Sequence, residues 1–231
     1  MEDMKMSNTI TAIIPVKGNS TRLPNKNILP FGNSNLLVHK IEQLKQVKGI
    51  TDIVVSSDSD EMLEMAEKAG VTAMKRPEKY ANESVPFGMF LEYICGVVPN
   101  DHIMWACATS PLVEPYLYEK AIKTYFEKLK EGYDSLITCS PYQTYLMDEN
   151  GPMNFKMGLE HKNSEQLPML YHFTNGVNLA PKDKIIEWHY NYGPKFYRML
   201  VNKREAADID DIYDYVCAKA MYEMEDPNPT R

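Results

Sequence analysis

The residues best able to do chemistry together lie near opposite ends of the chain. Lys17, Arg22 and Lys26 share a polar stretch in which Gly18, Asn19 and Ser20 let the backbone turn closely. Amide hydrogens in such a turn can converge on one anion, and the flanking cations add charge, so the stretch suits a polyphosphate. It is neither a P-loop nor a dinucleotide fingerprint, since no Gly-Lys-Ser/Thr follows and the three spaced glycines are missing. On residue types alone the alternative is a solvated basic turn between a strand and a helix. Far along the chain, Asp208 and Asp210 flank Ile209. In an extended backbone both carboxylates point to one side and the isoleucine into the core. Two hard oxygen ligands at a strand end are what a magnesium ion bridging phosphate oxygens requires. The competing use is Asp210 or Asp211 as N-cap of a helix continued by Ile212, Tyr215, Val216 and Met221. With the basic loop in the same chain, metal binding is assigned to Asp208 and Asp210 and capping to Asp211.

These residues need a scaffold, and the hydrophobic pattern predicts one. Ile10, Ala12, Ile13, Ile14 and Val16 form a nearly continuous apolar run that suits a strand covered on both faces, with Pro15 marking where ladder pairing stops. Leu36, Leu37, Ile41, Leu44 and Val47 follow at helical spacing. Strands are then expected over 50–56, 103–108 and 135–139, and helices over 58–70, from Phe87 to Ile94, and over 117–129. This alternation predicts an α/β fold, a mostly parallel Rossmann-like sheet with helices on both faces, in which ligands sit beyond the carboxyl ends of the strands. The basic loop, Ser56 to Asp58 and Thr109 to Pro111 all occupy such ends.

Residues 140–171 break the rhythm and are too long for a plain connection. Their Tyr142, Tyr145, Leu146, Met147, Phe155, Met157, Leu167, Met169 and Leu170 are too apolar for a floppy loop. The segment reads as extended pieces or a hairpin leaving the sheet to pack on a second subunit, so a homodimer is expected, with one domain over 1–231 and an inserted dimerisation element over 140–171.

Composition narrows the class. The 231 residues are 44% hydrophobic and 25% charged, as in ordinary globular proteins. A net charge of -7 argues against general nucleic-acid affinity, which needs a broad basic surface, while a nucleotide needs only a local one. Cys95, Cys107, Cys139 and Cys217 are widely spaced, which fits reduced structural thiols better than a zinc site or disulfide frame. With no membrane-length apolar stretch and no apolar signal segment after the polar start, no membrane partner is expected and the cytoplasm is the default location.

The stretch from Lys17 to Asn27, Lys-Gly-Asn-Ser-Thr-Arg-Leu-Pro-Asn-Lys-Asn, resembles the signature loop of the acylneuraminate cytidylyltransferase family, usually Arg-Gly-Gly-Ser-Lys-Arg-Ile/Leu-Pro-x-Lys-Asn. Further matches follow in order: Ser56-Ser57-Asp58, Arg76-Pro77-Glu78, Thr109-Ser110-Pro111-Leu112, Asn175-Gly176 and Asp208-Ile209-Asp210. The resemblance implies a nucleotide-diphospho-sugar transferase type of fold and an enzyme that transfers CMP from CTP to a nonulosonic acid sugar, releasing pyrophosphate. It implies Mg2+ on Asp208 and Asp210, and a dimerisation element that reaches the partner's active site. It further implies that Asn27, Arg76 and Ser84 contact the nucleotide. Without it, Arg76 reads as a surface arginine before a proline. Lys26, Arg22 and Lys17 are the candidates to stabilise the triphosphate, with Gly18, Asn19 and Ser20 supplying amides. Thr109, Ser110, His172 and Asn175 are the candidates for the acceptor, with Asn178 a further polar contact. His172, on an apolar strand, reads equally well as a structural histidine.

The chain also departs from the family pattern. Lys17 and Thr21 replace the first Arg and the middle Lys, Cys107-Ala108 stand where Gln-Pro is common, and Val113 where Arg is frequent. Ahead of Leu167-Pro168 the family often has arginines, one thought to hold the acceptor carboxylate; here stand Asn163, Ser164, Glu165 and Gln166. These departures leave room for a variant acceptor, such as a differently substituted nonulosonate, another acid sugar or a phosphonate. They also leave open a nucleotidyltransferase for another base, or a nucleotide binder without turnover.

Overall fold

The computed structural model describes residues 8–18, 20, 22–81 and 85–224. The first strand, β1 (Ile10–Pro15), is buried on both faces, as its apolar run predicts. A short hairpin, β2 (Pro30–Phe31) and β3 (Ser34–Asn35), leads into α1 (Leu36–Lys45). There follow β4 (Asp52–Ser57), α2 (Asp60–Lys68), β5 (Thr72–Lys75), the single turn α3 (Glu78–Ala81), α4 (Phe87–Val97) and β6 (His102–Trp105). After α5 (Pro115–Lys130) come β7 (Ser135–Tyr142), β8 (Met147–Asp148), β9 (Gly151–Pro152) and β10 (Leu170–Pro181). The chain ends in α6 (Lys182–Trp188), β11 (Phe196–Leu200) and α7 (Ile212–Glu223).

The main sheet has the order β11-β7-β10-β6-β1-β4-β5. Only β10 runs antiparallel to its neighbours, β6 and β7. The other pairs are parallel, as the alternation of strands and helices requires. Pairing of β1 with β6 reaches Ile13↔Trp105, whereas pairing with β4 continues to Pro15↔Ser56, and Val16 N–H still donates to the Ser56 carbonyl. Pro15 therefore stops the ladder on one side only.

Helices cover both faces. Leu37, Ile41 and Leu44 of α1, Met62 and Ala66 of α2, and Leu117, Tyr118 and Ala121 of α5 pack with Ile10, Ala12, Ile14 and Met104. On the other face Phe90, Leu91 and Ile94 of α4 and Ile185 of α6 meet Ile13, Val54, Ile103 and Trp105. A third cluster, beyond the strands' carboxyl ends, joins Leu23, Phe31, Leu36 and Leu112 to Ile209 and Ala218. It packs the basic loop, the Thr109 loop and the start of α7 onto one another.

The helix ends follow local chemistry. Asn35 caps α1 by accepting the Val38 amide, and Ser59 caps α2 by accepting that of Met62. Asp211 caps α7 and forms a capping box with Asp214, the role assigned to it from sequence.

Between β7 and β10 the chain leaves the sheet. The two strands run on as a ribbon, Cys139↔Phe173 to Tyr142↔Leu170, and beyond it lie the β8–β9 hairpin and two short 3-10 turns. Tyr142, Tyr145, Met147, Met153, Met157, Leu159 and Met169 are exposed there. All four cysteines are free thiols. Among the described residues no helix is long and apolar enough to cross a membrane.

Candidate active site

The loop after β1 is tied down before it can meet a ligand. Asn27, buried in the 3-10 turn Lys26–Ile28, donates its side-chain amide to the Lys17 carbonyl at 3.1 Å. Gly18 N–H donates to Asp58 Oδ1 at 2.8 Å, just past the end of β4. This corrects the expectation that the Gly18 amide points at a phosphate: a carboxylate already takes it. A Cβ there would lie 3.2 Å from Ser59 Cβ, a tight fit that a side chain could take only if Ser59 shifted slightly. Ser20 is half-buried in the same loop. Asn19, Thr21 and Ser84 lie outside the described residues.

Arg22 and Lys26 converge on one oxygen. Asp210 Oδ1 accepts from Arg22 Nη2 at 2.7 Å and from Lys26 Nζ at 3.2 Å. The two cations differ in setting, with 65% of the Arg22 side chain exposed against 14% for Lys26. Burial alone would push the Asp210 carboxyl up, but Lys26 and then Arg22 outweigh it and hold it below its ordinary value.

Asp208 is the opposite case. Burial raises its carboxyl, and the Asp210 charge adds to that, against a hydrogen bond from Thr109 and the pull of Lys26. Its Oδ1 is buried with no hydrogen-bond partner. A buried carboxylate oxygen without a donor is costly unless a cation meets it, so this pair of aspartates suits a divalent ion. The expected strand end is not there. Asp208, Ile209 and Asp210 occupy an irregular segment between β11 and α7, with Ile209 fully buried as expected and its amide donating to the Thr109 carbonyl at 2.9 Å. Glu205, buried just upstream, anchors that segment by accepting from the Tyr116 hydroxyl and, at 2.9 Å, from the Asn202 amide.

Ser110 is buried with an unpartnered hydroxyl. Asn175 has a left-handed φ of 54° within the irregularity of β10 that separates Phe173 from Asn178. Its amide reaches Cys107 Sγ at 3.7 Å and its Oδ1 accepts from Asn178 at 2.8 Å. Cys107 is half-buried and senses both Asp208 and Lys26, and burial pushes its thiol up to about 12, so it is a neutral group on the cleft floor. His172 is exposed on the ribbon with its ring 6.4 Å from that of Tyr142, centroid to centroid. Arg76 is buried rather than a surface side chain. It donates to the Ser56 carbonyl at 2.8 Å and stacks on Phe90 at 4.3 Å, and burial lowers its guanidinium to about 10.

Sequence reasoning assigned no role to Asp58 as the partner of Gly18, and missed Lys40. Lys40 was legible as an anomaly, since it falls on the buried face of α1 between Leu36, Leu37, Ile41 and Leu44.

Loop, aspartates and neutral floor thus meet at the carboxyl ends of parallel strands, the arrangement of a nucleotidyl-transfer enzyme. A model of the cytidylyltransferase family matches residues 11–152, and the chain belongs to that family of CMP-transferring enzymes. Pseudaminic acid cytidylyltransferase of Campylobacter jejuni is 26% identical over 92% of this chain and 95% of its own length. N-acylneuraminate cytidylyltransferase of Escherichia coli is 25% identical over 92% of this chain and 52% of its own. The fold matches CMP:2-keto-3-deoxy-manno-octonic acid synthetase complexed with CTP, with a TM-score of 0.69 at 14% identity, covering 94% of this chain and 98% of that one.

Proposed function

We propose that this cytidylyltransferase moves CMP from CTP to a hydroxyl of a nonulosonic, sialic-type acid sugar, with Asp208 and Asp210 holding Mg2+. The observation that carries the reading is Asp210 binding Lys26 and Arg22 through one oxygen, beside an Asp208 whose buried oxygen has no donor. The acceptor oxygen attacks the α-phosphorus as the bond to the β-phosphate breaks. The hydroxyl proton passes to solvent water and pyrophosphate leaves with the bonding electrons. Charge builds on the phosphate oxygens, so positioning and cations matter more than a covalent nucleophile. Bound at the aspartates, magnesium would neutralise triphosphate charge and align the attack. Lys26, held in a largely buried position, and the freer Arg22 then exchange Asp210 for phosphate oxygens, and Lys17 adds charge at the loop's start.

The candidate acceptor residues on the floor are neutral. Cys107, Thr109 and Asn175 offer hydrogen bonds, and the 3-10 turn Ser164–Gln166 carries Glu165 where a carboxylate-binding arginine was expected. Relatives named for pseudaminic acid and N-acylneuraminate favour an acid sugar as acceptor. The exposed Met147, Met153, Met157 and Leu159 favour a homodimer built on the excursion. Four free thiols favour a reducing compartment such as the cytoplasm.

The test is pyrophosphate release from CTP with pseudaminic acid, N-acetylneuraminic acid, 3-deoxy-manno-octulosonate and a phosphonate, each with and without Mg2+. Release with a nonulosonic acid that stops on chelation supports the reading. Release only with the phosphonate reassigns the acceptor, and no release with any acceptor rejects it. Light scattering tests the dimer, which predicts twice the 26.6 kDa of one chain.

A further inference from the structure

A fully buried lysine is unused by this mechanism. Lys40 has 0% exposure, and its Nζ donates to the Ser110 carbonyl at 2.9 Å and to the Tyr118 hydroxyl at 2.7 Å. Tyr118 is itself fully buried. Burial draws the Lys40 amine down to about 7, a measure of how poorly the site tolerates its charge. Methionine would fill similar volume without that cost. What lysine adds is a donor that reaches from α1 to the loop after β6.

Two neighbours on α1 act on the next carbonyl. Pro111 O is met by His39 Nε2 at 3.1 Å and accepts from Gln43 Nε2 at 2.8 Å. The Thr109 carbonyl accepts the Ile209 amide at 2.9 Å, so three consecutive carbonyls are tethered, one of them to the aspartate segment. The Ser110 hydroxyl is unpartnered, so the loop is held by its backbone rather than by its serine side chain. Through that Ile209 bond Thr109 holds the residue next to Asp208, and Thr109 also favours the charged form of the Asp208 carboxyl. A continuous path therefore runs from Lys40 through Ser110, Thr109 and the Ile209 amide to the residue that bears the buried carboxylate.

We propose that Lys40 is a positioning residue for cytidylyl transfer: by holding the Ser110 carbonyl it sets Thr109, and through Thr109 it sets the Asp208 carboxylate in the cleft. The inference rests on the reading of Asp208 as a metal ligand. Groups that orient a metal's ligands typically change its affinity by about 10- to 100-fold when removed.

The experiment compares Lys40→Met, the double variant Lys40→Met with Tyr118→Phe, and Asp208→Asn. The readouts are Mn2+ binding by electron paramagnetic resonance, thermal midpoint, and kcat and KM for CTP. Removing both buried partners together costs less than orphaning one, so the double variant recovers much of any lost thermal stability. The proposal expects both Lys40 variants to bind Mn2+ roughly 10-fold more weakly and to lose kcat, with KM for CTP within about twofold of wild type and the defect remaining in the double variant. Wild-type Mn2+ affinity and kcat in whichever variant folds overturn it. Failure of both to fold overturns it too, by assigning Lys40 to stability alone. Asp208→Asn separates the two ideas. If it binds Mn2+ as wild type does, the metal-ligand reading fails; if it does not while Lys40→Met does, only the Lys40 proposal fails.

Discussion

Asp58 accepts the Gly18 amide hydrogen at 2.8 Å, so the nucleotide loop is closed by a carboxylate from the neighbouring strand end before any phosphate arrives. The bond joins the carboxyl ends of β1 and β4, and with the Asn27 side chain on the Lys17 carbonyl it fixes both sides of the turn. Asp58→Ala is expected to raise KM for CTP about 10-fold, the scale of one charge-assisted hydrogen bond of about 1.5 kcal/mol, with a smaller change in kcat. Steady-state kinetics checks this, and an unchanged KM would mean that the tether is incidental.

Lys26 and Arg22 share Asp210 Oδ1 but not their exposure, which predicts unequal losses. Lys26→Ala, removing a mostly buried cation, should cost kcat roughly 100-fold or more, as loss of a preorganised electrostatic contact does. Arg22→Ala, with 65% of its side chain in solvent, should cost on the order of 10-fold, since exposed charges are screened. Parallel kcat measurements test the order.

Asp208→Asn separates function from stability. The wild-type carboxylate has a buried oxygen with no donor, and a neutral amide of the same shape removes that charge. The variant should lose turnover yet melt no lower than wild type in the absence of divalent ions, as groups strained for function often do. Calorimetry in chelator checks this, and a melting point several degrees lower would contradict it.

Lys40 predicts a pH dependence of stability. An unfolded lysine keeps its proton up to about 10.5, whereas the folded one loses it at about 7, so between these values the unfolded state binds more protons and stability rises with pH. The groups facing it stay neutral from pH 7 to 9. Burial raises Tyr118 of α5 well above its ordinary value and Cys107 to about 12, and burial lowers His39. Relative to Lys40→Met, wild type should gain up to about 1.4 kcal/mol per pH unit over that range. Denaturant unfolding at pH 7, 8 and 9 measures it, and a constant difference would show that Lys40 does not titrate there.

What the sequence revealed and what it hid follow from how locally each feature is encoded. The apolar run of β1, the helical stripe of α1 and the Asp211 cap are written in neighbouring residues, and each is found where it was expected. The basic loop and the Asp208–Asp210 pair stood out because each set is close in sequence, and Asp210 does join Arg22 and Lys26. Most of β10 escaped because it is antiparallel between β6 and β7 and interrupted near Asn175 and Gly176, with buried Thr174 and Asn178, so neither alternation nor a continuous apolar run marks it. Only the apolar stretch around His172 hinted at it. β11 is a short edge strand, and β5, Thr-Ala-Met-Lys, shows neither alternation nor the apolar run that marks the equally short β6. Asp58 with Gly18, 40 residues apart, and Lys40 with Ser110, 70 apart, exist only once the sheet brings them together.

The central claim is that Lys26 and Arg22 leave Asp210 for a triphosphate while the two aspartates take up a divalent ion. A crystal structure of the protein with CTP and Mn2+ tests it most directly. The account predicts an anomalous peak about 2.2 Å from carboxylate oxygens of both Asp208 and Asp210, with Lys26 Nζ on a phosphate oxygen. A nucleotide bound elsewhere, or Lys26 still on Asp210 with no metal at the aspartates, would contradict it.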